Sequence, residues 1–392
     1  MKVAVVAEFY PRAADPVLGI WSHRQALAAR NAGAEVEVLV LHRPVPPRAA
    51  LDEGPRAAAR AAATMLRQPW TEERDGLKVR YVPFVSPARP TGYGSWGAWA
   101  APPLAVALRA LRRRFPFDLV HAHNAVPAGD AVRRAGVRVP LVTSVHGGDV
   151  LYTARQSDAG ADAVRAAFEA SRLVLANSTG IARACEELGA GTTRVVHLGT
   201  DLPEEPTGRT GDPVLVTVAH LVPRKRHGDV LRAMWLLRAR WPHLRYVIVG
   251  DGPERGPLER LAADLGLADR VGFTGQLAHP DAMRELWRGS LMVMPSVDEA
   301  FGVAYVEAMA GGVPAVAALG EPGPQDIAAT GPGMVLVPPA DVERLADELG
   351  ALLEDRRALQ DLSTQARATA ERAFSWDACG RATVAAYDEA LR

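Results

Sequence analysis

Short β-branched runs alternate with helical stretches along the chain, and the series starts twice. The first set of strands is expected at 3–9, 35–41, 78–84, 119–123, 141–147, 173–178 and 194–199. The second set is expected at 214–220, 246–250, 271–275, 291–296, 313–318 and 334–339. Helical spacing of apolar residues marks 21–32, 102–114, 160–171, 179–188, 226–240, 253–266, 280–288, 303–311, 341–353 and 355–372. Near-continuous apolar strands between helices belong to parallel sheets covered on both faces. Between the two sets lies DLPEEPTGRTGDP (201–213), rich in Pro, Gly and charge and without periodicity, which reads as a linker. The expectation is an α/β protein of two facing Rossmann-like, doubly wound parallel-sheet domains, 1–200 and 214–374. Ligands of such sheets bind beyond the carboxyl ends of the strands, so two facing domains make a cleft.

Composition narrows the function classes. Lys+Arg and Asp+Glu both total 45, so no long-range basic field points to nucleic acid. Cys185 and Cys379 offer no disulfide framework and no zinc spacing, and read as core filler in a reducing cytosol. MKVAVVAEFYP reads as a buried first strand, too short for a signal segment. No apolar run approaches the ~20 residues a membrane span needs. A cytoplasmic protein is expected. Residues 43–76 show no strand and read as an inserted loop with one helix. In YGSWGAWAAPPLAVALRALRRRF (93–115), Trp96 and Trp99 precede a helix ending in three arginines. The plain reading is a surface helix whose basic end suits its dipole. The sharper reading is peripheral contact with anionic lipid at the inner membrane face.

Three stretches carry chemistry. VAHLVPRKRHGDVL (218–231) is strand, turn and helix, with Arg224 and Lys225 beside a helix N-terminus, a natural anion site. Its alternative is a solvated charged turn. IVGDGPERGPLERLA (248–262) ends a strand in a glycine turn at Gly250 that lets the backbone approach a ligand. Its glycine spacing departs from the dinucleotide fingerprint, and no acidic residue ends the next strand, so a nicotinamide site is disfavoured. In MPSVDEAFGVAYVEAMAGGVPAV, Glu299 falls in a loop at a strand's carboxyl end, and Phe301, Gly302 and Val303 lead into a helix that carries Glu307. A loop carboxylate accepts sugar hydroxyls, amides at a helix start hold a diphosphate, and a second carboxylate takes a ribose diol. Small residues in AMAGG imply close packing, so Glu307 is expected half-buried and in need of a donor.

EAFGVAYVEAMAGGVP resembles the motif of retaining glycosyltransferases with the GT-B fold, in glycosyltransferase family 4. The likeness extends over nearly the whole chain. VAHLVPRKRHGDVL, IVGDGPERGPLERL and VLVPPADVERLADEL are similar to family segments, and VHAHN, SVHGGDV, ANSTG and VHLGTD occur in the expected order. FSWDACGRATVAAYDEALR resembles the helix (375–392) that crosses back to the first domain in that fold. The resemblance implies that Lys225 neutralises the donor diphosphate and that Glu307 holds the nucleotide ribose. Glu299, with the amides of Phe301, Gly302 and Val303, holds donor sugar and diphosphate. Gly19 approaches the diphosphate from the first domain, Gly250 lies on the donor side, and His146 lies beside the anomeric carbon. Asp149 and His123 fall on the acceptor side. No metal or other cofactor is implied, only a nucleotide-sugar co-substrate and a glycan or lipid-linked acceptor.

Three positions depart from the family pattern. His220 stands where an arginine usually flanks the phosphates, with Arg224 as the candidate substitute, since a histidine is only partly charged near neutrality. The first loop has one glycine where two are common, and GEPGPQDI leaves the late acidic residue open between Glu321 and Asp326. The His121-x-His123 pair has no third ligand pattern for zinc. His146 has a rival reading as a structural turn residue. The expected reaction is sugar transfer from a nucleotide-activated donor, in cell-envelope polysaccharide or glycolipid synthesis. Rival readings are a nucleotide-sugar epimerase of similar fold and a non-catalytic nucleotide-sugar-binding protein.

Overall fold

The computed structural model describes residues 1–46, 48–204 and 211–392. Residue 47 of the expected loop and 205–210 of the expected linker lie outside the described residues. The chain forms two compact units, Met1–Leu198 with Trp376–Arg392, and Gly199–Ser375.

The first unit holds eight strands, β1 (Lys2–Ala7), β2 (Glu35–His42), β3 (Thr71–Arg74), β4 (Leu77–Pro83), β5 (Leu119–His123), β6 (Leu141–Val145), β7 (Leu173–Ala176) and β8 (Thr193–Val195). Their order is β3-β4-β2-β1-β5-β6-β7-β8. The chain builds outward from β1 in one direction and resumes at β5 in the other. The topological switch therefore falls between β1 and β5, where a doubly wound sheet leaves a crevice. Alternate residues of β1 serve two cores: Val3, Val5 and Ala7 pack into one, Ala4 and Val6 into the other. Burial on both faces explains why β1 reads as a continuous apolar run.

The last helix, Trp376–Ala390, belongs to this unit. Gly380 lets it approach the helix Ile20–Asn31 so closely that an added Cβ would lie 2.3 Å from the Ala28 carbonyl oxygen. Tyr387 reaches the sheet, where its hydroxyl pairs with His121 Nδ1 at 2.7 Å. Ser144 Oγ meets His121 Nε2 at 2.7 Å, so this fully buried imidazole has both nitrogens engaged. Cys185 and Cys379 are free and buried.

The second unit is a six-stranded, wholly parallel sheet of β9 (Val214–Val218), β10 (Arg245–Val249), β11 (Val271–Gly275), β12 (Leu291–Met294), β13 (Ala315–Ala318) and β14 (Met334–Val337). Its order is β11-β10-β9-β12-β13-β14, which puts the switch between β9 and β12.

Three expectations need correction. The 43–76 segment is not a strandless loop: it forms helices Arg48–Asp52 and Pro55–Leu66 and then β3. TEER carries no apolar alternation, and β3 lies at the sheet edge, pairing antiparallel with β4 alone. The helix expected from 102 begins at Trp96 and runs through Pro102 and Pro103. An interior proline costs about 3 kcal/mol or more, which burial of Trp96, Gly97, Ala100 and Ala101 in the first turns offsets. Pro322 and Pro324 masked the helix Pro322–Thr330, although proline is compatible with a first helical turn. In the helix Trp96–Arg114, Trp96 is buried, Trp99 is exposed, and Arg114 pairs with Glu37 at 2.6 Å. No helix among the described residues is long and apolar enough to cross a membrane.

Replacing Tyr387 by Phe should strand the buried Nδ1 of His121 and lower stability by about 1–3 kcal/mol. Chemical denaturation of the variant checks this, and an unchanged midpoint would show that the hydroxyl is not needed to satisfy that nitrogen.

Candidate active site

In the second unit the loops after β9 and β12 meet at the switch point. The backbone ties them first: Val297 N donates to the Arg224 carbonyl at 2.9 Å. Side chains then converge. Lys225 Nζ lies 2.5 Å from Glu299 Oε2, and Arg224 Nη1 lies 3.8 Å from the same oxygen. Lys225 is 9% and Glu299 7% exposed, so this ion pair is largely out of water. Burial lowers the Lys225 pKa, opposed by the attraction of Glu299.

Glu299 is held from below and behind. Ser296 Oγ donates to Oε2 at 2.9 Å and also pairs with the Tyr305 hydroxyl at 3.0 Å, which donates to the Met294 carbonyl at 2.5 Å. The Glu299 backbone N–H donates to Glu321 Oε2 at 2.7 Å. Of the two acids left open, Glu321 thus touches the Glu299 loop. Burial raises the Glu321 pKa, against the lowering effect of that amide. Ser296, Tyr305 and the contact of Glu321 were not foreseen. The only signal for Ser296 was a hydroxyl at the end of an apolar strand.

Gly302 begins the helix Val303–Ala310 with φ 84°, in left-handed space. A Cβ there would meet the Tyr305 ring at 2.4 Å and Glu299 Cγ at 3.4 Å, so the helix start adjoins the Glu299 side chain. Phe301 is a core residue, its ring edge-on to Phe374, and only its backbone is suited to a ligand. Glu307 lies further along the helix, half-buried, and His279 Nε2 meets its Oε1 at 3.0 Å. The donor expected for Glu307 is thus an imidazole that sequence reasoning did not single out. At Gly250, φ is 136° and an added Cβ would fall 2.0 Å from the Ala219 carbonyl oxygen, so only glycine lets the β9 and β10 loops close up. Leu221 N then donates to the Asp251 carbonyl at 3.0 Å. His220 lies exposed within this joined backbone. The arrangement gathers Lys225, Arg224, Glu299, Gly302 and Val303, with Gly250 and His220 on the β9–β10 side and Glu307 farther along its helix.

The first unit presents a different chemistry at its own switch point. His123 ends β5, and His146 follows β6, the next strand. Their rings stack at 5.3 Å, with His123 Nδ1 and His146 Nε2 3.0 Å apart. Burial lowers both pKa values, that of His146 to about 4, so the pair is neutral near pH 7 and shares one proton. The outer nitrogens, His123 Nε2 and His146 Nδ1, have no protein partner, and neither does the indole nitrogen of Trp21, whose ring lies 6.1 Å from that of His146. Asp149 is enclosed, accepting from Asn124 Nδ2 and Val126 N at 3.1 Å each, and burial raises its pKa to about 6. Both oxygens are therefore engaged, Oδ2 by the Asn124 side chain and Oδ1 by the Val126 backbone. Gly19 caps the helix Ile20–Asn31 with φ 62°, and a Cβ there would lie 2.1 Å from the Phe9 carbonyl carbon.

Residues 19–204 match the family described as Glycosyltransferase Family 4, and residues 200–369 match Glycosyl transferases group 1. One relative, the MMP alpha-(1->4)-mannosyltransferase of Mycolicibacterium hassiacum, is 29% identical over 76% of this chain and 77% of its own. Another is the GDP-mannose-dependent alpha-(1-6)-phosphatidylinositol monomannoside mannosyltransferase of Mycolicibacterium smegmatis, 31% identical over 63% of this chain and 69% of its own. Among solved structures, the sucrose-phosphate synthase of Thermosynechococcus elongatus superposes with a TM-score of 0.77 at 20% identity, covering 99% of this chain and 98% of its own. At that identity the likeness bears on the fold alone.

The buried imidazoles set a pH dependence. His42, His121, His146 and His227 have folded pKa values lowered to about 4, 3, 4 and 4. The unfolded chain takes up these protons near 6.5, so their contribution is present above that value and is lost as pH falls toward 4. Asp149 acts in the opposite sense, because its raised pKa favours the folded state as pH falls through 6. Four groups outweigh one. Stability should drop between about pH 6.5 and pH 4, with each histidine contributing up to ~1.4 kcal/mol per pH unit. Denaturant midpoints that stay level or rise over this range would contradict the neutral assignment.

Proposed function

The chain belongs to glycosyltransferase family 4 and is a glycosyltransferase, and from that premise we propose that it uses a nucleotide-activated donor, GDP-mannose first, and glycosylates a lipid-linked or glycan acceptor with retention of anomeric configuration. The observation that carries this reading is the junction of Lys225, Arg224 and Glu299 with the start of the helix Val303–Ala310. The mannosyl donor follows from the two mannosyltransferase relatives, and the lipid-linked acceptor from the second.

As the glycosidic bond breaks, negative charge gathers on the departing diphosphate. Lys225 and Arg224 oppose that charge, and the amides at the helix start add about half a positive charge. These donors are held before the reaction, so little reorganisation is needed. Glu299 accepts hydroxyls of the donor sugar while keeping Lys225 in place. Glu307, oriented by His279, takes the ribose diol. A neutral His146 accepts or donates one hydrogen bond to a hydroxyl group without adding charge. The acceptor hydroxyl attacks the face that the diphosphate leaves, and a diphosphate oxygen takes its proton.

Lys225→Ala should reduce turnover at least 100-fold, on the scale of a lost oxyanion donor. Near-normal activity would remove Lys225 from the site. Glu307→Ala should weaken nucleotide diphosphate binding, and identical calorimetric affinity in both proteins would refute the ribose role. A thermal-shift panel of GDP-, UDP-, ADP- and TDP-sugars ranks the donors. The largest shift is expected from GDP-mannose, and a preference for another nucleotide would replace that choice.

A further inference from the structure

The first unit contains a second feature that the donor chemistry does not use. A cavity of about 820 Å³ opens beyond the carboxyl ends of β1 and β2 and is lined in part by Val45, Leu51, Thr64, Met65 and Gln68. Its volume falls in the range that encloses a small-molecule ligand. Val45, Leu51 and Met65 supply apolar wall, and Trp96 lines it from the other side.

The polar groups in it are arranged with atoms to spare. Arg89 lies over the rings of Phe9, Tyr93 and Trp96 at 4.9, 4.3 and 5.5 Å and meets both carboxylate oxygens of Glu8 at 3.3 and 3.1 Å. Arg43 lies over Trp96 at 5.1 Å and donates through Nε and Nη2 to Ser86 Oγ and the Ser86 carbonyl at 2.9 and 3.0 Å, which leaves Nη1 for a ligand. Arg12 donates through Nη2 to the carbonyls of Glu8 and Leu41, leaving a buried Nε with no protein partner. His42 is 3% exposed, and neither ring nitrogen has a protein partner. Two unpartnered buried nitrogens on one ring are costly unless a ligand or water meets them. Burial, and after it the charge of Arg89, lowers the pKa of both Arg12 and Arg43, with Glu8 opposing the shift at Arg12. Asp15 and Asp52 share the lining, but Asp15 Oδ1 accepts from the Val17 and Leu18 amides. A compact anion would relieve the crowding, and an apolar body would cover the wall.

We propose that this cavity binds an amphipathic anion, a phosphate or carboxylate joined to an apolar body, with the anion among Arg12, Arg43 and Arg89 and a hydroxyl or ester oxygen at His42. That the ligand is the sugar acceptor rests on the transferase reading above; that the cavity binds it does not. The probe is octyl phosphate below its micellar range, followed by calorimetry. Inorganic phosphate and octyl glucoside, each lacking one half of the ligand, should bind at least 10-fold more weakly. Dihexanoyl phosphatidylinositol and 4-nitrophenyl phosphate then separate a lipid headgroup source from a free aryl phosphate, and the tighter of the two names the source. Met65→Trp, which fills the cavity, and Arg43→Gln, which removes a charge, should each weaken octyl phosphate at least 10-fold. Both should leave nucleotide diphosphate affinity intact, which verifies that the variants are folded. Equal binding of octyl phosphate and octyl glucoside, or full affinity in both variants, overturns the proposal. Loss of donor-sugar turnover in an otherwise folded wild-type protein would instead sink the transferase reading and leave this result standing.

Discussion

An ammonium and a carboxylate 2.5 Å apart and nearly out of water, Lys225 and Glu299, organise the second unit. A buried pair of this kind contributes little net stability, because desolvation offsets the attraction, whereas removing one partner typically costs roughly 3–5 kcal/mol. Its presence therefore asks for a reason other than stability. The surroundings supply one. Ser296, the Tyr305 hydroxyl and the Glu321 carboxylate fix the Glu299 loop from three directions, and the Val297 to Arg224 hydrogen bond joins it to the Lys225 turn. Charged groups fixed this closely have lost their freedom before a ligand arrives, so an entering anion meets a dipole that need not reorganise.

The two units use one architecture for opposite electrostatics. Each is a doubly wound parallel sheet, and each assembles its polar groups at the point where strand order reverses. In the second unit those groups are ions and a helix N-terminus. In the first they are neutral imidazoles, His123 and His146, with unpartnered nitrogens beside Trp21, and an enclosed Asp149 whose pKa is raised to about 6. Hydrogen-bonding capacity without fixed charge suits hydroxyl groups, which must be oriented but not ionised.

Much of this was legible in the residues, for identifiable reasons. Strands buried on both faces, such as VAVVA and LMVM, announce themselves because each position is apolar. Glu299, Glu307, Arg224 and Lys225 stood out because charge next to a glycine turn and a helix start has few structural uses. What escaped was fixed by contacts distant in sequence. TEER became a strand because β4 offered an open edge, and the helix around Pro102 extended to Trp96 because packing outweighed the proline. His279, 28 positions before Glu307, and Tyr387, 266 after His121, are partners that no local pattern marks. The 205–210 part of the linker lies outside the described residues.

Position 220 carries a histidine where the resembled family carries an arginine, and the backbone around it has a distinct arrangement. The β9 and β10 loops are zipped together around Gly250, and His220 lies exposed within that seam. Arg224 lies four residues on, where its carbonyl receives Val297 N and its guanidinium reaches toward the carboxylate that Lys225 grips. One residue thus joins the two loops and brings the second cation to Glu299. The turn whose carbonyl receives Val297 N also directs the Arg224 side chain toward Glu299. A guanidinium thus lies at the junction of β9 and β12, with an imidazole at 220.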